Sequence, residues 1–160
     1  MALTTVQLQA LKSAIATETD PVFVTLRATN DESGMAAWYN LTSTFVAWKS
    51  KVTLLETGQA FNGTEWAGMT SANHTRLTDV ALWISSGYDA AKADIRAMFN
   101  DIWSGAGGTN TRANLLTLWK RFATRGEKIY CTGAGSDASP GIFTFEGVLT
   151  AQDISDALRA

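Results

Sequence analysis

Asn110–Thr150 reads NTRANLLTLWKRFATRGEKIYCTGAGSDASPGIFTFEGVLT, and its patterning decides the fold class. Leu115, Leu118, Trp119 and Phe122 recur at i, i+3, i+4 and i+7, the spacing that lines one face of a helix. Thr109 stands before this run as its N-cap. Thr124-Arg-Gly-Glu127 then has the form of a capping box, in which the Thr hydroxyl and the Glu carboxylate each accept from a free backbone N–H. The long helix therefore breaks near Ala123, and a short one restarts and runs to Tyr130. A turn-rich loop, 132–141, leads into Ile142–Leu149, which alternates as a strand does. One strand in a mostly helical chain must find a partner.

Upstream, GAGG at 105–108 stops one helix and hinges to the next. Asp89 is placed to cap the helix before it, whose Ile95, Met98, Phe99 and Ile102 form the cleanest amphipathic stripe in the chain. Ser71 caps another, with Leu77, Val80, Ala81 and Ile84 inward and Gly87 at its end. Thr64–Gly68 makes a single helical turn holding Trp66. Thr53-Leu-Leu-Glu56 is a further capping box, and Asn30–Ser33 opens a helix over Gly34–Leu41 that carries Trp38 and Tyr39. Asp20-Pro21 gives an N-cap followed by Pro at N1. Val22–Ala28 then reads as a short helix, with a strand over Val22–Leu26 partnering Ile142–Phe145 as the alternative. Thr4-Thr-Val-Gln7 starts the first helix, buried through Leu8, Leu11 and Ile15, and Thr150-Ala-Gln-Asp153 starts the last, carrying Ile154 and Leu158. The expected fold is mainly α: a compact multi-helix domain over 1–160 with one short strand or hairpin near the C-terminus, at about 142–149.

Composition limits function. Hydrophobic residues make up 46% of the 160 and charged residues 18%, the balance of a globular chain. A net charge of −2 and a pI near 5.3 argue against a dedicated nucleic-acid binder. The single Cys, Cys131, excludes an intramolecular disulfide and suits a reducing compartment. No signal peptide is expected at the N-terminus, and no apolar window is long enough to span a membrane. Six Trp residues leave room for an assembly surface beside the core.

Catalytic chemistry finds little support. His74 lies at the polar start of a helix without a neighbouring nucleophile, and Asp79 falls off its i+4 face. One His and one Cys, far apart, do not make a zinc site. GAGG lacks the Lys-Ser/Thr of a phosphate loop, and Thr132-Gly-Ala-Gly135 reads as a turn needing positive φ. No cofactor, no metal and no enzymatic activity are expected. The basic cluster Lys120, Arg121, Arg125 and Lys128 is more informative. It reads either as a solvated helix face or as a patch that meets acidic side chains on a neighbouring subunit, with DNA contact weaker on an acidic chain.

The chain resembles a family of small structural proteins of tailed bacteriophages. The resemblance is carried by Leu3–Lys12, Trp48-Lys49, Trp66, Lys120–Lys128, Thr132–Pro140 and Phe145–Thr150 with Asp153, the last three stretches being the most specific. Gly126 departs from the Ala expected there. What the resemblance implies is a virion part, built in the host bacterial cytoplasm. A helical body with one unpaired strand further suits a ring subunit whose strand pairs across a subunit boundary. The expected role is a head–tail (neck) connector or tail-completion adaptor in a homo-oligomeric ring, meeting portal, neck or tail subunits. Subunit contacts are expected at Arg121, Arg125, Lys128, Phe143, Phe145 and Glu146. The alternatives are a capsid decoration protein and, from other classes, a small cytoplasmic binding module or a hydrolase.

Overall fold

The helices begin where the sequence supplies an oxygen to cap them. In the computed structural model, which describes residues 2–160, helix makes up 57% of the chain and the strands are short. The mainly α expectation holds. The chain divides into two compact units, one built from 1–47 with 122–160 and the other from 48–121, where the sequence reading treats 1–160 as one domain.

In the first unit, α1 (Thr5–Thr17) starts at the Thr4 capping box, with Gln7 answering it. The Asp20 carboxylate accepts from the N–H groups of Val22 and Phe23 at the start of α2 (Pro21–Ala28), so this segment is helix and not strand. Asp31 caps α3 (Glu32–Tyr39) through the Gly34 N–H. The Arg27 guanidinium closes the other end of α1, donating to the carbonyls of Ile15 at 2.6 Å and Ala16 at 2.9 Å. The Arg27 reach and the Phe23 ring, which has no solvent exposure, seat α2 in the core. Leu11, Ile15, Met35, Trp38, Tyr39, Tyr130, Leu149 and Ile154 pack around it.

The strands depart most from expectation. β1 (Thr42–Trp48) pairs with β2 (Lys120–Thr124), and neither is read as a strand from sequence. The Ser43 hydroxyl donates to the Ala123 carbonyl at 2.8 Å, and the Arg125 N–H to the Leu41 carbonyl at 2.9 Å. Phe122 therefore leaves the helical stripe: it sits on β2, 58% exposed, while Ala123 beside it is fully buried. The Thr124–Glu127 capping box starts α9 (Arg125–Ile129) as expected.

The C-terminal strand is shorter than expected and is paired within the chain. β3 (Cys131–Thr132) and β4 (Ile142–Phe143) run antiparallel, with Cys131 opposite Phe143 and Thr132 opposite Ile142. Pairing continues for one more residue, the Thr144 N–H donating to the Tyr130 carbonyl at 2.9 Å, and Phe145 then packs on the Tyr130 ring at 5.1 Å. The loop between β3 and β4 lies along β1: Val46 N–H donates to Gly135 O at 2.8 Å, and Gly141 N–H to Val46 O at 2.9 Å. Gly135 has φ 68° and a Cβ there would stand 2.1 Å from the Phe45 ring, so both backbone conformation and space require glycine. After the Thr150 capping box, α10 (Ala151–Arg159) packs against α1 and α3.

In the second unit, α4 (Leu54–Gln59), α5 (Gly63–Ala67), α6 (Ser71–Trp83), α7 (Ala93–Ile102) and α8 (Thr109–Leu118) bury Leu77, Val80, Ile95, Phe99, Ile102, Trp103, Leu115 and Trp119. Thr70, not Ser71, caps α6. Asp89 holds the turn before α7 through the Ala91 N–H and does not cap the helix itself. Gly108, not Thr109, occupies the cap position of α8, which has no capping side chain of its own. The cap comes from α5: the Glu65 carboxylate accepts the N–H groups of Asn110 and Thr111, each at 2.8 Å. A carboxylate across a helix N-terminus both fills free donors and meets the positive end of the helix dipole.

Two expectations follow. The Asn40 side-chain amide donates to the Leu149 carbonyl at 2.8 Å and accepts the Leu149 N–H at 2.9 Å. Asn40→Ala should lower the stability to urea unfolding by about 2 kcal/mol, because two hydrogen bonds go and two backbone groups are orphaned. At Glu65, loss of solvent raises the carboxyl pKa, but the Asn110 and Thr111 donors outweigh it and leave it below the ordinary value. A depressed folded pKa gives stability that is complete above the unfolded value of about 4.3 and is lost as pH falls through the folded one. Melting temperatures followed from neutral to about pH 3 should therefore fall less steeply in Glu65→Gln than in the parent.

Candidate functional site

Helix α9 is only one and a half turns long, yet its first residue organises a groove whose lining includes two residues with buried, unpartnered donors. The Arg125 backbone N–H is fixed on Leu41, and its guanidinium lies flat over the Trp38 ring, 4.0 Å from the centroid. Stacking of this kind holds a cation in place with its edge nitrogens free to donate. One of them, Nη1, is removed from solvent and has no hydrogen-bond partner in the chain.

Tyr39, the last residue of α3, repeats the pattern. The residue is 2% exposed and its hydroxyl also has no partner. Its ring is held edge-on by Phe23 and Trp38, each at 5.1 Å. Burial pushes the phenol pKa well up, and the Glu18 carboxylate and Tyr130 push it the same way against Arg27. The hydroxyl accordingly keeps its proton and stands ready to donate it.

Both residues line a groove of about 470 Å³, with Ala14, Trp38 and Ile129 as apolar wall, Thr42–Thr44 of β1 along one side, and Lys128 and Glu18 among its charged residues. The Glu18 carboxylate is already used locally, accepting the N–H groups of Thr19 and Asp20 at 2.9 and 3.0 Å. Two cations and one carboxylate leave the groove singly positive. Its unpartnered groups, a planar guanidinium edge and a phenolic O–H, can donate to an oxygen.

Of the residues singled out from sequence, Arg125 and Lys128 come together here. Arg121 sits on β2, Phe143 on β4 opposite Cys131, and Glu146 is exposed beyond it; none of these lines the groove. Phe145 is committed to the Tyr130 ring. The sequence reading missed Tyr39, Trp38 and Glu18 as site residues. The only available signal was the adjacent Trp38-Tyr39 pair closing a helix just before the polar Thr42-Ser-Thr run.

Two of the second unit's concavities bear comparison. Arg96 and Arg112 line one of about 510 Å³, but Arg96 stacks on Trp48 and donates to the Ala90 carbonyl, and Arg112 donates to the Trp103 and Gly105 carbonyls. Those guanidinia are spent on the fold. The other, about 280 Å³ and bordered by Leu54, Phe61, Trp66 and Leu77, carries no charged side chain. His74 packs edge-on against Trp66 at 4.9 Å. Among the described residues no group of three or more His, Cys, Asp and Glu is placed to hold a metal, and no helix is long and apolar enough to cross a membrane.

Fold and groove together give a mainly helical protein with a cleft lined by Tyr39, Arg125 and Lys128. No protein-family model, curated protein sequence or solved structure matches the chain.

The unpartnered phenol gives a direct check. Tyr39→Phe should leave stability unchanged or raise it by up to about 1 kcal/mol, since a desolvated and unpaired hydroxyl is removed. Denaturant unfolding measures this, and a loss of more than about 1 kcal/mol would reveal a partner for the hydroxyl.

Proposed function

We propose that this chain is a non-catalytic structural component of a tailed-phage virion, a head–tail connector or tail-completion adaptor that assembles through protein contacts. The observation that carries the reading is the Arg125 groove. A stacked guanidinium with a buried, unpaired nitrogen, set among aromatic side chains, is the type of anchor found at protein interfaces, where Arg, Trp and Tyr concentrate the binding energy. The resemblance carried by Lys120–Lys128, Thr132–Pro140 and Phe145–Thr150 supports the virion setting, and Arg125 lies inside the first of these stretches.

Ile142 and Phe143 pair with Thr132 and Cys131 within the chain, so the strand does not need a neighbouring subunit to be paired. The proposed contact is instead a side-chain one, with acidic groups of a neighbouring subunit received at Arg125 and Lys128.

Quantitative mass spectrometry of purified particles, referenced to the major capsid protein, tests this reading. About six or twelve copies per particle fit a closed ring at the neck or tail. Hundreds of copies would make it a decoration protein, and none would remove it from the virion altogether. Arg125→Glu should sharply reduce incorporation while the isolated chain remains folded; wild-type incorporation would take the contact away from this groove.

A further inference from the structure

We infer that the groove over Arg125 is a receptor for a single carboxylate side chain, an Asp or Glu borne on a segment of a partner protein. The inference deepens the adaptor reading by naming the group received, and rests on that reading only for the partner being a protein.

Three observations select the ligand. The first is the pair of donors. Arg125 Nη1 and the Tyr39 hydroxyl are both withdrawn from solvent and both unpartnered, within the lining of one groove. A buried donor without an acceptor is costly, and an ionised oxygen makes the strongest acceptor it can meet. Because burial keeps Tyr39 protonated, both groups donate, and the complementary ligand is an acceptor with no proton to give.

The second is charge. Arg125 and Lys128 face Glu18 in the same lining. One net positive charge balances one carboxylate. A dianionic phosphate would be left with uncompensated charge near Glu18, and two N–H groups at the start of α9 are engaged: the Arg125 N–H is held by Leu41, and the Glu127 N–H by the Thr124 hydroxyl.

The third is shape. The donors do not stand on an open surface. Trp38 underlies the guanidinium, and Ala14 and Ile129 add apolar wall. A carboxylate at the end of an aliphatic stem places its methylenes against that wall while its head reaches the donors. An inorganic anion leaves the apolar surface uncovered. Arg125 then offers its planar edge to the planar carboxylate, which a lysine ammonium does not do in the same geometry.

Solution NMR on the full ¹⁵N-labelled chain reads the site directly. The probe is a short, terminally blocked peptide whose only charge is one central glutamate, set against its glutamine counterpart and against inorganic phosphate. The glutamate peptide should shift the amides of Thr42–Thr44 and Arg125–Ile129 saturably, and the glutamine peptide should not. Arg125→Lys and Tyr39→Phe should each weaken glutamate-peptide binding, by roughly tenfold or more for Arg125→Lys, with the remaining spectrum unchanged. Equal binding of the glutamine peptide, shifts elsewhere, unchanged binding in both variants or no saturation would overturn the inference. So would tighter binding of phosphate, which would make this a site for small oxyanions. Copy number in particles is independent of all of these, so a chain absent from virions that still binds the glutamate peptide would lose the adaptor reading and keep the receptor.

Discussion

A polar group taken out of water has to be paired, and nearly every buried donor and acceptor here is placed by that constraint. In the second unit, a relay crosses the core: the Trp119 indole N–H donates to the Tyr88 hydroxyl at 2.9 Å, and that hydroxyl lies 2.9 Å from the Thr57 hydroxyl. Thr57 donates onward to the Thr53 carbonyl at 2.8 Å, so the Tyr88 proton is directed to Thr57 and the chain of bonds closes on backbone. Burial raises the Tyr88 pKa, only partly offset by its bonds to Thr57 and Trp119, which keeps the relay in one protonation state. In the first unit the Asn40 amide does comparable work on the Leu149 backbone, joining residues 109 apart in sequence. A satisfied polar link inside an apolar core fixes a unique arrangement more firmly than packing alone, because each alternative strands a donor.

Against that background the described residues leave three buried side-chain donors unpartnered, Trp103 Nε1 in the second unit and the Tyr39 hydroxyl and Arg125 Nη1 in the groove. The groove's two unpaired donors sit where the rest of the molecule shows how pairing is achieved: Arg27, Arg96 and Arg112 all reach backbone carbonyls. Arg125 instead lies flat on Trp38, an arrangement that positions the guanidinium without exhausting its donors. Stability alone would favour a partner or an apolar replacement at Tyr39. A binding surface benefits from leaving the acceptor to be supplied by something else.

What the sequence makes legible is what depends on near neighbours. The boxes at Thr4, Thr53, Thr124 and Thr150 are written within four residues and form as read. Asp20-Pro21 likewise outweighs the β-branched content of Val22–Ala28, since cap and N1 proline act on the helix they begin. β1 and β2 were not legible because each exists by pairing with the other, some 80 residues away at Ser43 and Ala123. Phe122 extended a helical period that pairing cut short at Leu118. The cap of α8 escaped for the same reason, since Glu65 lies 45 residues before the Asn110 N–H it accepts. The groove is the extreme case, gathering Glu18, Tyr39, Thr42 and Arg125 from distant stretches, so the basic cluster and the Trp38-Tyr39 pair gave only partial hints of it.

Gly126 connects these threads. By helix propensity alone an Ala would be preferred there by about 1 kcal/mol. The structure accounts for the glycine. A Cβ at this position would lie 2.7 Å from Leu149 Cδ1 and 3.4 Å from the Tyr39 carbonyl oxygen. Leu149 is 2% exposed, and its backbone is held by Asn40, so its side chain has little room to yield. The missing Cβ lets α9 settle against the Asn40–Leu149 link and the end of α3 together. That approach fixes Arg125, the adjacent residue, over Trp38 and beside Tyr39. The clamp that holds the first unit closed is therefore also what sets the geometry of the groove, so a repacking at Leu149 would move the guanidinium before it unfolded the unit.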